Sequence, residues 1–137
     1  MINQRSADWP ERLADMIEQR RSEPFAWGAN DCCLFPADVV RAMTGFDFAA
    51  AWRGQYDSAI GAQRQLDEAG GMVALVTAAL GAPRDNPQMA VRGDVVCVDI
   101  DGRLTLGVVT GSGSWCAPGE SGLIFRPMSE VQMVWEV

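Results

Sequence analysis

The sequence predicts an α+β domain in which N-terminal helices pack on a C-terminal antiparallel β-sheet. Apolar residues recur at helical spacing over residues 8–81, whereas residues 92–137 contain strand-like runs. The dipeptide Asp101-Gly102 lies between two of these runs and is typical of a two-residue hairpin turn. A chain of 137 residues can bury a core of its own, so we expect a single domain over residues 1–137.

The first helix is predicted to begin after Asp8, because Glu11 follows three residues later in a capping-box arrangement. Arg20 and Arg21 fall in its last turn, where cations interact favourably with the helix dipole. Its apolar face is formed by Trp9, Leu13, Met16 and Ile17. This pattern indicates a helix that packs on the core.

A second helix is predicted over Cys32–Thr44, with Asp31 or Asn30 as its N-cap and Gly45 at its end. Pro36 is early enough in this helix to be tolerated. The helix is apolar nearly all round, which indicates a buried central position.

Three further helices are predicted before the sheet. The first is short and covers Phe48–Arg53. The second covers Ser58–Ala69, with Ser58 as N-cap, and the third covers Met72–Leu80, which Gly81 ends.

Four strands are predicted, at Asp94–Ile100, Leu104–Thr110, Leu123–Pro127 and Val131–Val137. The segment Gly111–Gly122 is rich in glycine and proline, and we expect it to be a loop.

The composition excludes several classes of function. The net charge is −7, and all 11 basic residues are arginine, so nucleic acid is not an expected partner. The absence of lysine excludes Schiff-base chemistry and a Walker-type phosphate loop. No apolar run approaches the ~20 residues of a membrane span, and the N-terminus lacks a signal-peptide core. We therefore expect a cytoplasmic protein.

The four cysteines are Cys32, Cys33, Cys97 and Cys116, and their spacing matches no zinc-binding pattern. We expect reduced thiols, with Cys33 and Cys97 in the core. Neither a metal nor a cofactor is predicted.

The segment Trp27–Phe35 places Cys32 at the start of a predicted helix, yet the chain contains no histidine. A helix N-terminus presents free N–H groups and partial positive charge, which lower the pKa of a thiol and can bind an oxyanion. A nucleophilic thiol also needs a base, which is usually imidazole. The sequence therefore provides a position for a nucleophile without the imidazole that usually acts as its base.

Three motifs in order resemble the NlpC-type branch of the papain-like cysteine peptidases, which includes cell-wall amidases and phage tail-tip proteins. The loop that leads to Asp-Cys is matched by Trp27, Gly28, Asp31 and Cys32. The "pGDlv" strand start is matched by Arg92–Val96, and the "HVGIYxG" strand by Thr105–Gly111. The chain most resembles short phage and prophage proteins encoded among tail genes, which share the WGxxDCC start.

The resemblance implies that Cys32 has the position of the nucleophile and Thr105 that of the base. Threonine cannot accept a proton near neutral pH. The third polar member would fall within Trp115–Pro118, which has no amide, carboxylate or imidazole side chain. Two of three catalytic roles are vacant, which favours a non-catalytic module.

Such a module would bind other tail proteins at the hub or tail tip, in the host cytoplasm during assembly and then in the virion tail. Trp27, Asp31 and Trp115 are the candidate binding residues. We expect Trp115, in the glycine-rich loop, to contact a partner.

Other interpretations remain open. The chain could be a cysteine hydrolase that uses Cys32, with a histidine from a partner or with a carboxylate as base: Asp31, Asp94, Asp99 or Asp101. A metal or redox role would use Cys32 with Cys33 and Cys116. An unrelated α+β domain would match by chance, with Trp27 and Cys32 as core residues.

Overall fold

The structure is a computed structural model that describes residues 4–111 and 113–137. The described helices are α1 (Trp9–Arg20), α2 (Leu34–Thr44), α3 (Ala59–Glu68) and α4 (Met72–Leu80). The described strands are β1 (Val95–Ile100), β2 (Arg103–Gly111), β3 (Ser114–Gly119), β4 (Gly122–Pro127) and β5 (Met133–Trp135). Short 3-10 turns lie at Pro87–Met89 and Met128–Glu130. Helices followed by an antiparallel sheet confirm the predicted α+β class.

The sheet has the strand order β4-β3-β2-β1-β5, and all its neighbouring strands are antiparallel. The hairpin between β1 and β2 turns at Asp101 and Gly102, whose φ angles are 53° and 83°. Two successive positive φ angles suit the twist of a two-residue hairpin, so this turn is confirmed. It brings the end of β1 and the start of β2 to one side of the molecule.

Both faces of the sheet are covered, because alternate residues of β1 pack in different clusters. Val95 and Cys97 pack on the helical side, with residues of α2 and α4. Val96 and Val98 pack on the opposite side, in a cluster with Trp115. The near-continuous apolar sequence of β1 follows from this burial on both faces.

Helix α2 is the central helix, as predicted, and its side chains Phe35 and Val40 are fully buried. It begins at Leu34 and not at Cys32, so this boundary of the prediction is wrong. Proline has no N–H, so Pro36 cannot donate the helical hydrogen bond to the Cys32 carbonyl. Cys32 therefore lies in the turn that leads into the helix.

Two predicted segments differ from the structure. Phe48–Arg53 is a series of turns and not a helix. In that segment the Asp47 side chain accepts hydrogen bonds from the Ala49 N–H and from the Arg53 guanidinium. These side-chain bonds hold the turns in place of a regular helical ladder.

The predicted loop Gly111–Gly122 instead contains β3 and the start of β4. Gly111 and Gly122 have φ angles of 92° and 133° and lie at strand ends, where the chain changes direction. The residues between them, Trp115–Pro118, are buried in the sheet. These glycines lie at strand ends, so a high glycine content does not by itself indicate a loop.

Helices α3 and α4 follow the predictions closely. Ser58 caps α3 by accepting a hydrogen bond from the Gly61 N–H at 3.1 Å. Met72, Leu75 and Val76 of α4 are buried, whereas no side chain of α3 is buried. Among the described residues, none of the helices combines the length and apolar character that a membrane crossing requires.

Candidate functional site

The loop before α2 is fixed by the buried side chain of Asn30. Its amide donates to the carbonyl oxygens of Glu23 and Pro24, at 3.2 and 3.1 Å. Its oxygen accepts a hydrogen bond from Arg20 Nη1 at 3.1 Å. Asn30 and Ala26 also exchange backbone hydrogen bonds. Asn30 thus stabilises the loop, whereas the side chain of its neighbour Asp31 caps the start of α2.

The N-cap position of α2 is Cys33 and not Asp31 or Asn30, but the side chain of Asp31 caps the start of the helix, and Asp31 is 1% exposed. One oxygen accepts the backbone N–H groups of Cys33 and Leu34, at 3.0 and 2.9 Å. The other accepts the Gly28 N–H at 3.0 Å and the Tyr56 hydroxyl at 2.6 Å. The pKa of Tyr56 is raised by burial and by this hydrogen bond. Asp31 therefore joins the loop, the start of α2 and the segment before α3.

Gly28 is required by a close approach of two chain segments. Its φ angle is 79°, and a Cβ at this position would lie 2.2 Å from the carbonyl oxygen of Tyr56. Any side chain here would push Tyr56 away from Asp31. The neighbouring Trp27 packs edge-on against Phe25 and lies beneath the guanidinium of Arg103, 5.8 Å from its ring centroid.

Cys32 is half-buried and lines a cavity of about 460 Å³. This cavity, which we call the Cys32 cavity, lies between the start of α2, the helices α3 and α4, and the β1–β2 turn. Its walls include Trp27, Trp52, Tyr56, Leu66, Met72 and Leu75.

The two adjacent thiols have opposite pKa shifts. A hydrogen bond from the Cys33 thiol lowers the pKa of Cys32, and the Leu106 N–H and the charge of Arg103 also lower it, against the effect of burial. The same hydrogen bond, together with burial, raises the pKa of Cys33 well above its ordinary value. Cys32 is therefore the thiol that is disposed to ionise, in agreement with its position at a helix start.

Thr105 is half-buried in β2 and does not line the Cys32 cavity. It pairs with Val98, and directly opposed residues of an antiparallel pair point to the same face. Val98 packs on the face that carries Trp115, whereas Cys33 packs on the other face beside Leu106. The structure does not bring Thr105 and Cys32 together across the cavity.

Trp115 is fully buried, so the expectation that it contacts a partner from an exposed loop is wrong. It lies in β3, packed with Val96, Val109 and Val134 on the face of the sheet away from α2. Its indole Nε1 has no hydrogen-bond partner among the described residues. The inner residues of β3 are all buried, and the apolar run Trp115-Cys116-Ala117 was the available signal in the sequence.

The other candidate carboxylates lie in different environments. Asp94 is 0% exposed and accepts hydrogen bonds from Arg5, Arg84 and the backbone N–H groups of Val91 and Val137. Its role is structural.

Asp99 is exposed and accepts the Gly102 N–H at 2.7 Å, which closes the hairpin turn. Asp101 is exposed and is the one of these three that lines the Cys32 cavity.

The remaining thiols are core residues. Burial raises the pKa of Cys97 to about 11 and that of Cys116 to about 12. Cys97 packs in the cluster of Cys33, as expected, but Cys116 lies in a separate cluster between the sheet, α1 and α2. The structure therefore does not bring Cys116 to Cys32 and Cys33. Among the residues that it describes, no group of three potential metal ligands is assembled.

Two residues of the site were missed in the sequence. Tyr56 follows no motif, and its bond to Asp31 joins positions 25 residues apart. Arg103 directly follows the predicted hairpin turn, so its position near the end of β1 could have been inferred.

A family model described as "Domain of unknown function (DUF6950)" matches residues 4–137. One similar solved structure is the "Crystal structure of NlpC/p60 domain of peptidoglycan hydrolase SagA". Its TM-score is 0.59 at 17% sequence identity, and the alignment covers 93% of this chain and 98% of that chain. No curated protein sequence matches the chain. At this identity the likeness shows an NlpC/p60-type fold, which agrees with the motifs in the sequence.

Proposed function

We propose that this chain, which belongs to the DUF6950 family, is a non-catalytic NlpC-like module of a phage or prophage tail. It acts through contacts with other tail proteins at the hub or tail tip. Assembly takes place in the host cytoplasm, and the mature protein is part of the virion tail.

The observation that carries this proposal is the lack of a suitable base near Cys32. The chain contains no histidine. Both oxygens of Asp31 are occupied by donors that hold the fold together, so neither is free to take the thiol proton. Asp101 is an exposed carboxylate, and carboxylates are weak bases beside thiols. A hydrolase also needs a group that protonates the departing amine. One imidazole usually accepts the thiol proton and then donates it to this amine.

The assignment to a tail rests on the resemblance of the Trp27–Cys33 segment to short proteins encoded among tail genes. An NlpC/p60-type fold without a base suits a protein whose surface, and not its thiol, is used. Asp31, Asn30 and Gly28 then have a purely structural purpose, which is to hold the loop and α2 together.

The test is a replacement of the chromosomal copy by a Cys32→Ser variant, followed by particle purification. We expect the variant protein to be present in particles by mass spectrometry, and particle yield and infectivity to be unchanged. A deletion of the whole gene should abolish tail assembly or infectivity. Absence of the protein from particles, with no association with its neighbouring tail gene products, would contradict the proposal.

A second candidate function is a cysteine hydrolase of the cell-wall amidase or endopeptidase type. The observation that favours it is that Cys32 lines an open cavity while its pKa is lowered by the Cys33 thiol. The similar SagA domain belongs to a protein that is described as a peptidoglycan hydrolase. The base would be Asp101 or a histidine supplied by a partner.

This alternative predicts hydrolysis of purified peptidoglycan that Cys32→Ser removes and Cys97→Ser retains. Cys97 is a suitable control because it is a buried core thiol. The assay should be repeated with tail extract present, since a partner could supply the base. No release of muropeptides under either condition would rule the alternative out.

A further inference from the structure

The apolar side of helix α3 faces a cavity, where packed side chains of the same chain would be expected. None of its side chains is buried. Ala59, Ala62 and Leu66 nevertheless lie on one side of the helix and line the Cys32 cavity. A helix of 10 residues is marginal in water unless an apolar face is buried. The inner face of α3 is therefore only partly covered, by the contact of Leu66 with the core.

Both ends of α3 are fixed by the path of the chain. Before the helix, the Tyr56 hydroxyl is bonded to Asp31 at 2.6 Å. After it, Gly70 and Gly71 have φ angles of 88° and 107°, which allows a sharp turn into α4. Gly71 itself lines the cavity. The space beneath α3 is thus bounded by fixed segments on both sides.

The cavity has the size and walls of a small-molecule site. Its volume of about 460 Å³ lies within the range of about 300–1,000 Å³ that is usual for ligand pockets. Trp27, Trp52, Met72 and Leu75 supply aromatic and aliphatic surface. The Asp31 carboxylate is already bonded to four donors and offers nothing further to a ligand.

A positively charged side chain, that of Arg103, lies at the opening of the cavity. Arg103 is exposed and lines the cavity, and its guanidinium lies over the Trp27 ring. Over residues 4–111 and 113–137 it forms no ion pair, in contrast to Arg53 and Arg84. Asp101 lines the same opening, and its charge opposes a ligand with several negative charges.

We propose that the Cys32 cavity binds a small amphipathic carboxylate, with its apolar part beneath α3 and its single carboxylate at Arg103. Guanidinium and carboxylate groups are matched in shape, and they interact more strongly than neutral partners. A free apolar acid and the C-terminal residue of a peptide present the same chemistry. The inference requires neither a tail partner nor catalysis by Cys32, so it stands apart from the proposed function.

Isothermal titration calorimetry on the full chain tests this site with three probes of equal length: octanoate, 1-octanol and octylammonium. We expect octanoate to bind most tightly and octylammonium most weakly. Arg103→Ala should weaken octanoate binding about tenfold or more, because a charge-assisted hydrogen bond is lost. The same variant should leave 1-octanol binding unchanged. The control is Arg64→Ala, an exposed arginine of α3 that does not line the cavity.

A peptide that ends in leucine distinguishes the two sources of the carboxylate. If its free-acid form binds more tightly than octanoate and its amide form does not bind, the natural ligand is a chain terminus and the carboxylate site is supported. Two results would overturn the proposal: equal affinity for octanoate and octylammonium, or equal losses for Arg103→Ala and Arg64→Ala. Absence of octanoate binding to the unaltered chain would overturn it as well.

Discussion

The two buried aspartates, Asp31 and Asp94, bind four hydrogen-bond donors each but are compensated differently. Asp94 is paired with two arginines, Arg5 and Arg84, at 3.2 and 3.0 Å. Among the described residues Asp31 has no arginine partner, and it is stabilised by backbone N–H groups and the Tyr56 hydroxyl. The N-terminus of α2 thus supplies the positive potential that side chains supply at Asp94.

The regions around the two aspartates are also held together by different kinds of contact. Around Asp94, Arg5 also donates to the carbonyl oxygens of Arg92 and Val137, at 2.8 and 2.6 Å, and packs on Trp9. That region is closed by links between distant parts of the chain. Around Asp31 the links are local, apart from the one to Tyr56, and a cavity lies beside them. The NlpC/p60-type fold is thus closed by long-range hydrogen bonds around Asp94 and has an open cavity beside Asp31.

The largest expected effect is the loss of the Asp94 carboxylate. Asp94→Ala leaves two partly buried guanidinium groups without a counter-charge, which should lower the free energy of unfolding by about 3–5 kcal/mol. Urea denaturation measures this change. Asp85→Ala, a nearby exposed acid, is the control and should be close to neutral. A small loss for Asp94→Ala would mean that the arginines find other partners.

A smaller loss is expected at Asp31. Asp31→Ala removes a helix cap and leaves the Gly28 N–H and the Tyr56 hydroxyl without an acceptor, at about 2–3 kcal/mol. Tyr56→Phe removes only the link to the segment before α3 and should cost about 1.5 kcal/mol. Urea denaturation of both variants separates the cap from the link. Equal losses would show that the cap itself contributes little.

The thiol pair gives a third prediction. Cys33→Ala removes the donor that lowers the pKa of Cys32, so the thiolate is less stable and the pKa of Cys32 should rise. The rate of Cys32 alkylation by iodoacetamide, followed by mass spectrometry against pH, reports the midpoint. In the unaltered chain we expect this midpoint to lie below that of an ordinary, unperturbed cysteine thiol. An unchanged midpoint would show that Cys33 does not act on Cys32.

The smallest effect is expected in α3. Leu66→Ala should cost about 1 kcal/mol, because Leu66 is half-buried against a cavity. Leu34→Ala, a matched change at a side chain that is 1% exposed, should cost about 2–5 kcal/mol. Amide hydrogen exchange should likewise be faster in α3 than in α2. Equal costs at the two leucines would remove the distinction between a closed and an open region.

The regular elements were largely predictable because their signals are local. Ser58, Gly45 and the Asp101-Gly102 pair each determine a helix end or a turn through their own hydrogen bonds or φ angles. The errors arose where tertiary contacts outweigh composition. Phe48–Arg53 is held in turns by Asp47, and the glycine-rich segment around Trp115 becomes strand because it is buried in the sheet.

The candidate site was predictable only in part. The motif identified Cys32 and its capping neighbour Asp31, since a helix start can be inferred from adjacent residues. The sequence does not show which residues of β2 face the helices and which face the other side of the sheet. That depends on the register of β2 with β1. Thr105 and Trp115 were therefore placed beside the site although both lie on the far face.

The sequence by itself determined the α+β class, the placement of the helices before the sheet and the position of Cys32 at the start of a buried helix. It also established that no imidazole is available, since no fold can add one. Only the tertiary structure decided what surrounds the thiol: the Cys33 hydrogen bond, the occupied oxygens of Asp31, and the cavity between α3 and Arg103. The cavity and the bond between Asp31 and Tyr56 join residues far apart in the chain, and their geometry depends on how the helices and the sheet pack.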